Sequence, residues 1–138
     1  MPVFRIGDQR VGIERETTTG YTDFGEPITE SVTVWTDGAY FEVQMPSEQQ
    51  NLTVTTSEIA WAFLECPNGL IKAVDDDGED ASFPFFIDDE DDERHGLPAI
   101  SASAWLWHDG LRYAMRGDAK LNRGPVQHAE CICEREQS

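Results

Sequence analysis

The residues with the most chemical potential in this chain are crowded carboxylates. Asp75-Asp76-Asp77-Gly78-Glu79-Asp80 and Asp88-Asp89-Glu90-Asp91-Asp92-Glu93 bracket an apolar centre, Phe83-Pro84-Phe85-Phe86-Ile87. Carboxylate oxygens are the ligands that Ca²⁺ and Mg²⁺ take. The helix–loop–helix calcium template fails here. With Asp75, Asp77 and Gly78 at loop positions three, five and six, positions one and twelve fall on Ala73 and Pro84, where acidic residues are needed. No metal is therefore expected, and a block of like charges reads as a face turned to water, to a channel or to a basic partner. The apolar centre is too greasy to stay in water. It is expected to pack on its own domain, anchoring both acidic flanks, or to form a contact between subunits. The residues expected to interact are Asp75, Asp76, Asp77, Phe83, Phe85, Phe86, Asp88, Asp89, Glu90, Asp91, Asp92 and Glu93.

Other constellations are weaker. His128, Cys131 and Cys133 look like part of a zinc site, but a structural zinc needs four ligands and the paired spacing of two residues between cysteines is absent. On a strand Cys131 and Cys133 share one face, so small core residues are the better reading. A cysteine with His128 or His95 as base has no supporting spacing. No glycine-rich phosphate loop or nucleophile elbow is present. Trp105 and Trp107, two residues apart, suit a core or an interface better than a ligand platform. The expectation is a protein without cofactor and without enzymatic activity.

The elements that would carry these residues are short strands and turns. Val11 to Thr19 alternates, with Val11, Ile13 and Arg15 on one face. Gly20 to Pro27 is a turn cluster. Ser31 to Trp35 has period two, and Asp37-Gly38 suggests a tight turn with Tyr40 to Gln44 returning as a hairpin. Leu52 to Thr56 reads as a strand. Ser57 to Leu64 is a strand in preference to a short helix, because of its β-branched and aromatic content and the stop at Cys66-Pro67-Asn68-Gly69. Leu70 to Val74 is a short strand. Asp75 to Pro98 breaks the rhythm as a long, insert-like acidic loop. Ile100 to His108 alternates, Asp109-Gly110 turns, Leu111 to Arg116 returns, and Val126 to Arg135 is the last strand. The predicted fold is mainly β with little helix, a small barrel or sandwich, forming a single domain over residues 1–138.

Composition narrows the partners. Ten Lys and Arg stand against 27 Asp and Glu, a net charge of −17. Such a surface repels phosphate backbones and anionic membranes, and it suits basic protein surfaces. Met1 to Gly12 has no apolar run of signal-peptide type, and no stretch is apolar enough to span a bilayer. Three cysteines without an export signal are expected to be reduced thiols in the cytosol. Asn51-Leu52-Thr53 fits a glycosylation pattern but carries no meaning without secretion.

Three stretches resemble the head-to-tail connector proteins of long-tailed phages, of the stopper or head-completion type. Val11 to Val34 looks like the family's opening strand, its turn with Asp23, Gly25 and Pro27, and its second strand. Thr53 to Leu64 resembles a strand ending in Ala-Trp-Ala-Phe-Leu. Asp109-Gly110-Leu111-Arg112-Tyr113, Gly117-Asp118, His128-Ala129-Glu130 and Cys131 to Arg135 look like the ending of such proteins. Asp75 to Pro98 departs from the pattern. The resemblance implies a virion protein, assembled in the host cytoplasm, whose subunits form a ring of six. It would join portal-adaptor and tail proteins and let packaged DNA pass without specific binding. Two alternatives are an acidic DNA mimic that occupies a basic nucleic-acid site, and a tail terminator, which would need helices on a sheet.

Overall fold

The computed structural model describes residues 7–44 and 58–136. Among the described residues nine strands follow in order: β1 (Gln9–Tyr21), β2 (Pro27–Gln44), β3 (Ile59–Glu65), β4 (Leu70–Ile71), β5 (Phe83–Pro84), β6 (Trp105–His108), β7 (Leu111–Met115), β8 (Lys120–Asn122) and β9 (His128–Arg135). Among the described residues the only helical element is a 3₁₀ turn at Pro67–Gly69. The mainly-β expectation holds. The strand expected at Leu52 to Thr56 and the Asn51-Leu52-Thr53 pattern lie outside the described residues.

Seven strands form one antiparallel sheet, β3-β2-β1-β6-β7-β9-β8, and β3 also pairs with β9, so the sheet closes in a ring. Registers such as Ile13↔Leu106, Phe41↔Ala62 and Ala62↔Cys131 define the closure. Alternation then sorts every strand into an inner and an outer set. Val11, Ile13, Leu64, Leu106, Tyr113, Cys131 and Cys133 point inward and are buried. Ile71, Phe85 and Ile100 close the core from the segments outside the ring. The ambiguous Ile59-Ala60-Trp61-Ala62-Phe63-Leu64 run is strand β3, with Ala60, Ala62 and Leu64 inward, because it is the piece that joins β2 to β9.

Asp37-Gly38 is not a turn. β2 runs straight through it, and the register slips from Gln9↔Ala39 to Val11↔Thr36, one extra residue on β2. The dipeptide is a β-bulge, which absorbs a residue and tightens the strand's twist without reversing the chain. A Cβ on Gly38 would lie 2.8 Å from the Glu65 carboxylate, so the small residue also admits the neighbouring strand's side chain. Asp109-Gly110 is the turn expected: both residues have positive φ, 51° and 76°, as a two-residue type I′ hairpin requires. The strand expected over Ile100 to His108 begins only at Trp105. Ser101 to Ala104 forms a turn closed by Ala104 N–H on Ser101 O at 3.0 Å.

The long acidic loop is not seen as one loop. Leu70 and Ile71 pair with Pro84 and Phe83, and Ala81 N–H donates to Ala73 O, so residues 70–84 form a small hairpin tipped by Asp75–Glu79. Val74 bridges Trp35, which docks this hairpin on β2. Phe86 bridges Pro98 and Ile87 exchanges hydrogen bonds with Gly96 and Leu97, which makes a second loop tipped by residues 88–95. The reason is local chemistry. Aspartate side chains bond nearby backbone N–H groups and so build turns from residues that composition alone assigns to open solvent.

Candidate assembly surface

The two acidic blocks are separate turns, each folded on itself. Asp75 Oδ1 accepts from Asp77 N–H and Glu79 N–H, both at 2.9 Å. Asp76 Oδ1 accepts from Trp35 Nε1–H at 3.0 Å. Asp80 is held below the usual carboxylate range by hydrogen bonds from Ser82. In the second turn Asp89 Oδ1 accepts from Asp91 N–H at 3.0 Å, and Asp92 is held low by the backbone and guanidinium of Arg94. Asp88, Glu90, Asp91 and Glu93 are exposed. Among the described residues no three carboxylate, histidine or cysteine groups gather as a metal site.

The apolar centre splits by alternation. Phe83 and Phe85 are buried in the core, while Phe86 is 40% exposed with its ring edge-on to Phe85 at 4.7 Å. Arg15 lies over the Phe83 ring at 3.9 Å, and burial, then the nearby charge of Arg94, lowers its guanidinium from the ordinary value. Self-packing therefore accounts for Phe83 and Phe85, while Phe86, which bridges Pro98, and Leu97, 53% exposed, stay in water.

His128 and the cysteines part company. Cys131 and Cys133 face inward on β9, and His128 faces outward, its Nε2 3.3 Å from Glu130. Burial pushes the thiols up, to about 11 for Cys66 and about 12 for Cys133, with Cys131 raised as well. Thiolates are the reactive form. A thiol reagent at neutral pH is expected to label none of the three in the folded protein and all three in denaturant; fast native labelling would show that the core opens.

A shallow depression of about 290 Å³ is lined by Trp35, Asp37, Glu65, Lys72, Asp80 and Ser82 among others. Ser82 donates to Asp80 at 2.6 Å, and no histidine or cysteine lines it.

The most highly organised polar cluster was not among the expected sites. Glu14, 8% exposed on the outer face of β1, accepts from Trp107 Nε1–H at 2.8 Å and from Arg112 at 3.1 and 2.9 Å, and Ser31 of β2 also donates to it. Arg112 stacks over Trp105 at 4.1 Å and reaches Glu136 at 3.1 Å. Desolvation acts to raise the Glu14 carboxyl, but the hydrogen bonds from Ser31, Trp107 and Arg112 with the Arg112 charge outweigh it, and its value is lowered. One carboxylate thus ties β1, β2, β6 and β7 together at a single point.

That point is the root of a projecting arm. β6 pairs with β1 only from Gly12 to Glu14, yet β1 and β2 stay paired out to Tyr21↔Pro27. Nearly every residue from 16 to 32 is exposed. Six residues of strand beyond Arg15 reach roughly 20 Å. Val34, Val32, Glu30 and Ile28 take successive second positions on one side of β2. Val34 is 4% exposed, but Val32 and Ile28 are 41% and 46% exposed. The core stripe runs on into the arm, where its own chain no longer covers it. At the tip Tyr21 is 70% and Phe24 93% exposed. The sequence did hold a signal for this. Glu16-Thr17-Thr18-Thr19 and Thr29-Glu30-Ser31 flank Val32 with polar residues on both faces, a pattern that belongs outside a core.

Comparison of the chain with protein-family models, with curated proteins and with solved structures finds no match.

Proposed function

We propose that this chain is a structural, non-enzymatic subunit that assembles in a ring, and that the ring is a head-to-tail connector of the stopper type in a tailed phage. The observation that carries the assembly reading is the arm. A closed sheet satisfies its own edges, so a two-stranded extension with bare edges and uncovered apolar side chains gains stability only against another surface. Oligomers that close by rotation use one patch against a different patch on the next copy, the arrangement an arm and a body supply. The placement in a phage rests on the resemblance of Val11 to Val34 and of the Asp109 to Arg135 ending. Scarcity of helix among the described residues favours a stopper over a tail terminator. Eleven of the 27 carboxylates fold into two compact turns in place of a duplex-like row, which favours it over a DNA mimic.

On this reading the exposed turn at Asp88 to Glu93 faces the channel, where a negative wall lets DNA slide because it offers no cations to replace the counterions of the phosphates. Replacing Asp88, Asp89, Glu90, Asp91, Asp92 and Glu93 by Asn and Gln is expected to leave ring assembly intact and to change retention or release of packaged DNA. Native mass spectrometry reads the first result and DNA leakage from filled heads the second. A chain that stays monomeric and binds a basic nucleic-acid-binding protein instead would overturn the connector reading, and unchanged DNA behaviour would remove the turn from the channel.

A further inference from the structure

We infer that the arm of one copy seats on the outer face of β3, β9 and β8 of a second copy, its apolar side on a stripe of aromatic rings and its carboxylates on a cationic rim. The inference rests on the assembly reading above and names its contact.

The receiving face is built by register. Trp61 pairs with Ile132, Phe63 with Glu130 and with Tyr40, and Glu65 with His128, all in the outward set. Phe63 stacks on Tyr40 with centroids 5.8 Å apart, meets Trp61 edge-on at 6.4 Å, and lies 5.2 Å from His128. Trp61 is 37% exposed, and Phe63, Tyr40 and Ile132 are half-buried. Aromatic residues with an uncovered outer face are the kind of anchor that protein contacts concentrate on.

The rim is the unusual part in so acidic a protein. Arg116, Lys120 and Arg123, three of the chain's ten basic residues, fall within eight positions. β8 pairs with β9 so that Lys120 lies beside Glu130 and Asn122 beside His128, continuing the outer face past the aromatic stripe. Arg116 is 3.7 Å from Glu134, whereas Lys120 and Arg123 form no ion pair among the described residues. The arm answers with the opposite charge. Residues 16–31 hold Glu16, Asp23, Glu26 and Glu30 and no Lys or Arg, alongside the uncovered Tyr21, Phe24 and Ile28.

One chain cannot satisfy both halves itself. Around the ring the order is β1-β2-β3-β9-β7-β6; the arm is carried by β1 and by the Pro27 end of β2, whereas β2 meets β3 only near its other end, from Tyr40 to Gln44. Donor and receiver lie at opposite ends of β2, the arm at Pro27 and the aromatic stripe at Tyr40. That is a head-to-tail contact, which repeats until it closes. The stripe across β2, β3, β9 and β8 is about 14 Å wide at the usual strand spacing, within the reach of a roughly 20 Å arm.

The test is a charge exchange. Glu26→Lys with Glu30→Lys reverses the arm, and Lys120→Glu with Arg123→Glu reverses the rim; all four residues are exposed, and near-UV circular dichroism checks that each variant folds. Sedimentation velocity in about 150 mM salt, where only close charges still attract, is expected to show the unaltered chain self-associating and each variant weakened at least tenfold. An equal mixture of the two variants is expected to assemble again, because each reversed arm then meets a reversed rim. Variants that assemble like the unaltered chain, or a mixture that fails to recover, overturn this contact and leave the ring reading standing. An unaltered chain that remains monomeric up to about 1 mM overturns both.

Discussion

Replacing Phe85 with alanine is expected to cost about 3–5 kcal/mol of folding stability, the range for removing a large aromatic from a packed interior. Phe85 is 1% exposed, and it sits at a crossing of backbone contacts: its N–H donates to Gly69 O at 2.8 Å and its carbonyl accepts from Ala99 N–H at 2.7 Å. Small domains hold only about 5–15 kcal/mol in total, so the loss is a large fraction of it. The effect should also be local. Without the ring, the two acidic turns lose the anchor between them, and cleavage by a protease between residues 88 and 96 is expected to speed up before the rest of the chain is attacked. Denaturant unfolding followed by fluorescence gives the first number and limited proteolysis the second. A loss below about 1 kcal/mol with unchanged cleavage would mean that the segment is not held by this residue.

Arg112→Ala is the second large change. It leaves Glu14 without its counter-charge, 8% exposed and bonded only by Trp107 and Ser31. Breaking a fully buried pair costs about 3–5 kcal/mol. A third of the Arg112 side chain remains in water and Glu14 keeps two donors, so about 2–3 kcal/mol is expected. The pH dependence adds a sharper signature. In the intact protein the Glu14 carboxyl is lowered on folding, so its contribution is present above the ordinary carboxylate range and is lost as pH falls through the lowered value. Without Arg112 the desolvation that opposes the lowering has less to overcome. The gain in stability on going from about pH 3 to pH 5 should then shrink or reverse. Equal slopes in the two proteins would show that Arg112 does not set the charge state of Glu14.

Much of the ring could be read from alternation. β1, β3, β7 and β9 lie where apolar residues recur at every second position, and the Asp109-Gly110 turn follows from the need for positive φ at both places. Errors came where one local signal has two outcomes. Asp-Gly suits a reversal and a bulge alike, and at Asp37-Gly38 the long pairing of β2 with β1 selects the bulge. Acidic composition hid the hairpin of residues 70–84, because Asp75 uses its side chain to close a turn. The Glu14 cluster could not be read at all. Its partners Trp107 and Arg112 are 93 and 98 residues away, and only the closure of the sheet brings them together.

The same closure sets how the chain reaches its native state. The pairs that complete the ring join β1 to β6 across more than 90 residues, as in Ile13↔Leu106, and β3 to β9 across about 70, as in Ala62↔Cys131. Contacts so distant are slow to form, because loop entropy is lost before any pairing rewards it. β9 follows all the other strands in chain order. During synthesis β3 and β7 therefore stand with open edges until β9 emerges, and open edges recruit foreign strands. The crowded carboxylates then acquire a use before assembly begins: a net charge of −17 keeps unfinished copies apart while the ring of strands waits for its last member.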